Sequence, residues 1–223
     1  MKILVIAPHP DDEVLGCGAT IKKYSAKGGE VYLCIATKAY TPDWTQEFIN
    51  NRKKEINNAV KVLGIKKVYF LDFPAVKLDT IPQKELNDAI SKIVKEIKPE
   101  IVFIPFAGDI NKDHKLAAEA SLVALRPKPD STVRKVFYYE VLSETEWSKP
   151  AQKIEDVFIP SFYEDASDFL KDKLKAMKCY RSELKEYPHP RSLEGIKISA
   201  QKRGTECGKK AAEAFMLVRE INK

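Results

Sequence analysis

KILVIAPHPDDEVLGCGATI, residues 2–21, reads as a strand, a turn and a helix in quick succession. Residues 3–7 form a continuous apolar run, the pattern of a strand covered on both faces. Residues 14–26 place apolar side chains at Val14, Leu15, Ala19, Ile21 and Tyr24, a helical spacing. Between them stand His9, Pro10, Asp11, Asp12 and Glu13. Three adjacent carboxylates repel one another and are costly to take out of water, so a positive partner is expected where the first strand ends. A simpler use is also open: either aspartate can cap the helix, whose dipole favours acids in its first turn.

The same alternation continues outward. Gly28-Gly29 ends the first helix, and strands are expected at 30–37, 66–73, 100–106 and 134–141. Helices are expected over 45–63, stopped by Gly64, over 81–97 and over 115–125. This is the signature of βαβ units, a three-layer α/β/α fold around a mostly parallel sheet. Past residue 150 the pattern changes to an extended edge, a helix, and a second helix over 193–218. No linker or repeat separates this tail, so residues 1–223 are expected to form one domain, with the tail packed over or beside the edge that carries the site.

The bulk numbers exclude several classes. Apolar residues make up 44% of the chain and charged ones 31%, an ordinary globular balance. The net charge of +6 is spread over Lys-rich segments such as NRKKEINNAVKV and KDKLKAMKCYR. These read as solvated helix faces, with a weak attraction for anionic substrates as the alternative. No basic arm or zinc finger accompanies the charge, so nucleic acid is not an expected partner. The four cysteines form no C-x-x-C pair and suggest a reducing compartment. With no signal-like or membrane-spanning run, a cytoplasmic location is expected.

In open parallel sheets, ligands bind beyond the carboxyl ends of the strands. His9 and Asp12 lie at one such end; Asp109, Asn111, Asp113 and His114 lie at another, after residues 100–106. Two of the three histidines in the chain fall at these two ends. His9, Asp12 and His114 make a plausible two-imidazole, one-carboxylate set for catalytic Zn²⁺, though Fe²⁺, Mn²⁺ and Co²⁺ suit the same donors. Asp11 is then free to act as general base. Glu13 is expected to orient a histidine or a backbone group, and Asp113 to hold a ligand histidine in one tautomer.

APHPDDEVLGCGATI resembles the signature of the LmbE-like, or PIG-L-type, N-acetylglucosamine deacetylases, and NRKKEINNAVKVLGI and INKDHKLAAEA resemble two further stretches of that family. The resemblance implies a Rossmann-like fold, zinc, removal of an N-acetyl group from an amino sugar, ligands His9, Asp12 and His114, and Asp11 as base. It also makes Arg52 a substrate-facing residue. The family often has a histidine three residues before the last ligand; here that position is Asn111, which can hydrogen-bond an oxyanion but cannot pass on a proton. His189, in YPHPRS, is the remaining histidine that can supply an acid, in its own site or a neighbouring subunit's, and a homo-oligomer is expected. Asp11 is the alternative acid. Arg191 and Arg203 can meet an anionic part of the substrate, Arg203 can equally cap a helix or pair with Glu206, and Trp44 can offer a face to a sugar ring. Two rivals are a nucleotide binder, for which Gly16-x-Gly18 is an incomplete and misplaced fingerprint, and a non-catalytic metal- or sugar-binding relative.

Overall fold

The computed structural model describes residues 1–150 and 153–222. Seven strands form one sheet: β1 (Lys2–Ala7), β2 (Glu30–Lys38), β3 (Lys67–Pro74), β4 (Ile101–Pro105), β5 (Lys135–Tyr139), β6 (Phe162–Asp165) and β7 (Ala212–Glu220). Their order across the sheet is β3-β2-β1-β4-β5-β7-β6. The first five pair in parallel, while β7 runs antiparallel between β5 and β6.

Helices cover both faces, and β1 shows why its sequence is continuously apolar. Ile3, Val5 and Ala7 pack with Leu15 and Ile21 of α1 (Asp12–Ala26), Ile56 and Leu63 of α2 (Gln46–Leu63), Met177 of α5 (Leu170–Met177) and Ile196 of α6 (Leu193–Cys207). Leu4 and Ile6 point the other way, into Leu86, Ile90 and Ile93 of α3 (Gln83–Ile97) and Ala117 and Ala120 of α4 (Lys112–Ala124). Alternate residues of a pleated strand face opposite sides, so both sets must be apolar. The expected three-layer α/β/α architecture is the one observed.

Two differences from the sequence reading matter for the site. Helices α1 and α4 begin earlier than their apolar periodicity suggests, at Asp12 and Lys112 rather than at 14 and 115. Polar first turns carry no apolar stripe, yet they hold the chemistry. The expected helix over 193–218 is corrected more sharply: α6 stops at Cys207, with Gly208 in the left-handed region at φ 71°, and residues 212–220 are β7. Ala, Glu, Met and Leu in AEAFMLV favour a helix locally. Burial of Phe215 against Phe103 and Phe162 and hydrogen bonds to strands on both sides override that preference.

The chain crosses from β1 to β2 on one side and later returns to place β4 on the other. The ends of β1 and β4 therefore flank a topological switch point, where a crevice opens beyond the strands.

Candidate metal centre and its cleft

At the end of β1, Asp11 occupies the N-cap position of α1 with φ 112°, a left-handed conformation that is strained for a side chain bearing a Cβ. Its carboxylate makes no capping hydrogen bond. The Asp11 N–H instead donates to Glu13 Oε2 at 3.1 Å, and Tyr180 Oη donates to Glu13 Oε1 at 2.7 Å. Burial pushes the Glu13 carboxyl up to about 7. Glu13 thus accepts from the backbone beside Asp11. Gly16, one turn further on, has a packing reason: a Cβ there would come within 2.3 Å of the Tyr139 ring, whose hydroxyl donates to the Ile6 carbonyl at 2.7 Å.

At the end of β4, Asn111 caps α4 by accepting the Asp113 N–H at 3.1 Å. Asp113 and His114 therefore stand in the first helical turn. Asp113 accepts the Val76 and Leu78 N–H groups and contacts His9 Nε2 at 3.0 Å. Burial opposes its ionisation, but these partners hold its carboxyl below the ordinary value. Asp109 takes the matching position behind the other histidine, with Oδ2 2.8 Å from His114 Nδ1 and Thr145 Oγ1 donating to Oδ1 at 2.6 Å. The sequence reading placed Asp109 at this edge without a role; its spacing five residues before His114 was the only signal.

Each imidazole thus has one nitrogen on a carboxylate and the other turned inward. His114 Nε2 lies 3.3 Å from His9 Nδ1, and Asp12 Oδ2 lies 3.3 Å from the former and 3.4 Å from the latter. Ligand atoms from His9, Asp12 and His114 all fall within 4.8 Å of one another. His9 is 19% exposed at its side chain, Asp12 1% and His114 0%. Burial disfavours the charged imidazole of His9, yet Asp113 and Asp12 push it up to about 9. In the same way Asp12, though desolvated, is held well below the ordinary carboxylate range by His114 and His9.

A divalent cation fits this group on two counts. The donors are two nitrogens and one carboxylate, each imidazole already oriented by a second carboxylate. Asp12 Oδ1 is also buried with no hydrogen-bond partner among the described residues, and such an oxygen is costly unless a cation or donor meets it.

The cluster opens into a cleft of about 180 Å³ lined by Asp11, Trp44, Phe48, Arg52, Asn111, Glu183 and Arg191, among others. Asp11 is buried, and burial together with the neighbouring Asp12 raises its carboxyl well above the ordinary value, against the pull of Arg191. Arg191 Nη1 lies 3.3 Å from Asp11 Oδ2, Nη2 donates to Glu144 at 2.8 Å, and Nε donates to Ser143 Oγ at 2.7 Å. Its fork therefore holds acids of the protein itself. Arg52 is also engaged, pairing with Glu183 and lying over the Phe48 ring at 5.0 Å. Glu144, Glu183 and Tyr180 carried no motif signal. His189 does not line the cleft: its Nδ1 accepts the Arg191 N–H at 3.0 Å and its ring meets Trp147 edge-on at 5.1 Å. Arg203 pairs with Glu206, as one expectation had it, and also with Glu140.

Residues 4–125 match the family described as PIG-L, GlcNAc-PI de-N-acetylase. The chain belongs to the PIG-L family. Among its relatives is the uncharacterised deacetylase YaiS of Escherichia coli, 31% identical over 81% of this chain and 90% of that protein. Diacetylchitobiose deacetylase of Thermococcus kodakarensis is 27% identical over 83% of this chain and 71% of its own length. The crystal structure of the conserved protein TT1542 from Thermus thermophilus superposes on this PIG-L member with a TM-score of 0.78 and 26% identity, covering 99% of this chain and 96% of that one. Among the described residues, no helix is long and apolar enough to cross a membrane.

Proposed function

We propose that the protein is a metal-dependent hydrolase that removes the N-acetyl group from an N-acetylglucosamine-type sugar or its conjugate, releasing acetate. Family membership supports the reaction class. The observation that carries the mechanism is Asp11: a buried carboxylate beside the three-donor cluster, spared from capping and not needed to complete that cluster.

His9 Nδ1, Asp12 and His114 Nε2 are the proposed metal ligands, with Zn²⁺ as the proposed ion. When bound, such an ion polarises an amide carbonyl and brings the pKa of water to about 7. Asp113 and Asp109 keep the outward imidazole nitrogens protonated, so that the inward nitrogens present lone pairs. Asp11 takes the proton from the attacking water. Burial and the neighbouring Asp12 raise its carboxyl above the ordinary value, the direction that makes a carboxylate a stronger base. Arg191 keeps this carboxylate aimed into the cleft while leaving it able to accept a proton. Asn111, whose Oδ1 is occupied by the helix cap, offers its amide N–H groups to the developing oxyanion. Asp11 then returns its proton to the leaving amine, breaking the C–N bond. His189 is the second choice as acid, since its ring would have to leave Trp147 to reach the cleft. Trp44 offers an aromatic face to the sugar, and Arg52 borders the same space.

The test is acetate release from a panel of N-acetylated sugars, with chelation and metal re-addition. Wild type should act, and Asp11→Asn should keep its metal while losing about 10²–10⁴ in turnover. A protein that binds no metal and acts on no panel member would end this reading.

A further inference from the structure

The two Lys-rich segments singled out in the sequence, NRKKEINNAVKV and KDKLKAMKCYR, lie on α2 and on α5 with the turn that follows it. The structure packs these helices side by side. Lys54 and Lys61 from one, and Lys175, Lys178 and Arg181 from the other, line a single groove. All five are exposed, and none makes an ion pair among the described residues. The one carboxylate in the groove lining is Glu55, and both its oxygens accept from Ser182, at 2.9 Å from N and 2.6 Å from Oγ. Five cations against one carboxylate leave this lining with an excess of positive charge, and gathered on one groove they create a positive potential that lysines scattered around a helix do not.

The groove lies beside the metal-donor cleft and shares a wall with it. Phe48 lines both, and Ser182 in the groove adjoins Glu183 in the cleft. From Phe48 to Val62 the channel follows α2 for about 20 Å at the rise of an α-helix. That length holds an extended chain. The groove's position beside the cleft favours a chain borne by the cleft's own ligand over a separate anionic surface.

We propose that this groove is an anion subsite for the same substrate, taking oxyanions (carboxylate or phosphate groups) strung on the chain attached to the acetylated sugar. The proposal rests on the deacetylase reading and narrows it to anionic conjugates. The groove residues touch no reacting atom, so they should set KM and leave kcat alone.

The experiment compares acetate release from neutral tetra-N-acetylchitotetraose and from a hyaluronan tetrasaccharide ending in N-acetylglucosamine. It uses wild type and the variant Lys54→Glu/Lys178→Glu/Arg181→Glu, with the corresponding triple glutamine variant as a milder control on folding. For wild type, KM should be about tenfold lower for the carboxylated substrate, and both the variant and about 0.5 M salt should abolish the difference. Inorganic tripolyphosphate should compete with the carboxylated substrate and leave the neutral one unaffected, which separates an oxyanion borne by the substrate from a free one. Equal changes in KM for both substrates, or no change in either, would overturn the subsite. Wild type acting on neither sugar counts against the deacetylase reading and not against the groove. Calorimetric titration with tripolyphosphate then decides the groove: heats lost in both triple variants support it, and heats unchanged from wild type refute it.

Discussion

Replacing Asp109 by Asn probes the link between the second carboxylate and the proposed metal ligand it supports. Asp109 Oδ2 sits 2.8 Å from His114 Nδ1, both side chains being fully buried, so the acid holds a proton on Nδ1 and leaves Nε2 free to face His9 and Asp12. An asparagine can sit in two ways. With its amide N–H toward His114, it donates to Nδ1 and forces the proton onto Nε2, where it blocks ligation. With its oxygen toward His114, the tautomer survives, but the amide must face Thr145 Oγ1, which now donates to Asp109 at 2.6 Å. Either way the imidazole loses a charged acceptor. Loss of such a partner costs about 10–100-fold in metal affinity, which is about 1.4–2.7 kcal/mol. Competition against a chromophoric chelator reads this directly, with circular dichroism confirming the fold. Affinity within twofold of wild type would refute the claim that Asp109 sets the tautomer of His114.

Three other outcomes follow from the same geometry. His189→Ala should leave metal content unchanged; an unaltered rate assigns the acid role to Asp11, and a fall in turnover with KM unchanged restores His189 to the mechanism. Metal-free protein should lose thermal stability as pH rises from about 4.5 to about 9. His9 is raised from 6.5 to about 9 and Glu13 from 4.5 to about 7, so their contributions are fully present below the lower values and lost as pH rises through the upper ones. Added Zn²⁺ should raise the melting temperature most at the alkaline end, where protons no longer compete for His9; a flat or rising metal-free profile would contradict this. Lys173→Met should destabilise the fold by about 3–5 kcal/mol in denaturant titration, because it strands the buried Glu213 carboxylate that Lys173 Nζ now meets at 2.6 Å. A loss below 1 kcal/mol, on the order of a surface pair, would show that the Ala19 and Thr20 N–H groups suffice to hold Glu213.

How far the site could be read in advance depended on whether its residues speak through local spacing. His9 and Asp12 are three apart across a strand-to-helix turn, and His114 follows the end of another parallel strand. Alternating elements imply that such ends share one rim, so their meeting was legible. Asp11 was legible as a carboxylate but not as one freed from capping, since that rests on its φ of 112° and on Glu13 taking the adjacent N–H. Glu144, Glu183 and Arg191 reach the cleft from the later part of the chain, and no periodicity announces an ion pair with Asp11 across 180 residues. His189 illustrates the opposite case: its residue type marked it as a candidate, while only the structure shows its ring edge-on to Trp147.

By itself the sequence determined the layered α/β architecture, the parallel strands and the rim on which the donors gather, because apolar periodicity and strand-end motifs are local properties that survive without knowledge of the fold. Only the tertiary structure decided that residues 212–220 form a strand, that Arg191 pairs with Asp11 and Glu144, and that two lysine-rich segments line one groove. Those outcomes depend on contacts between distant segments, where burial and charge pairing outweigh the local propensities that a sequence reading can weigh.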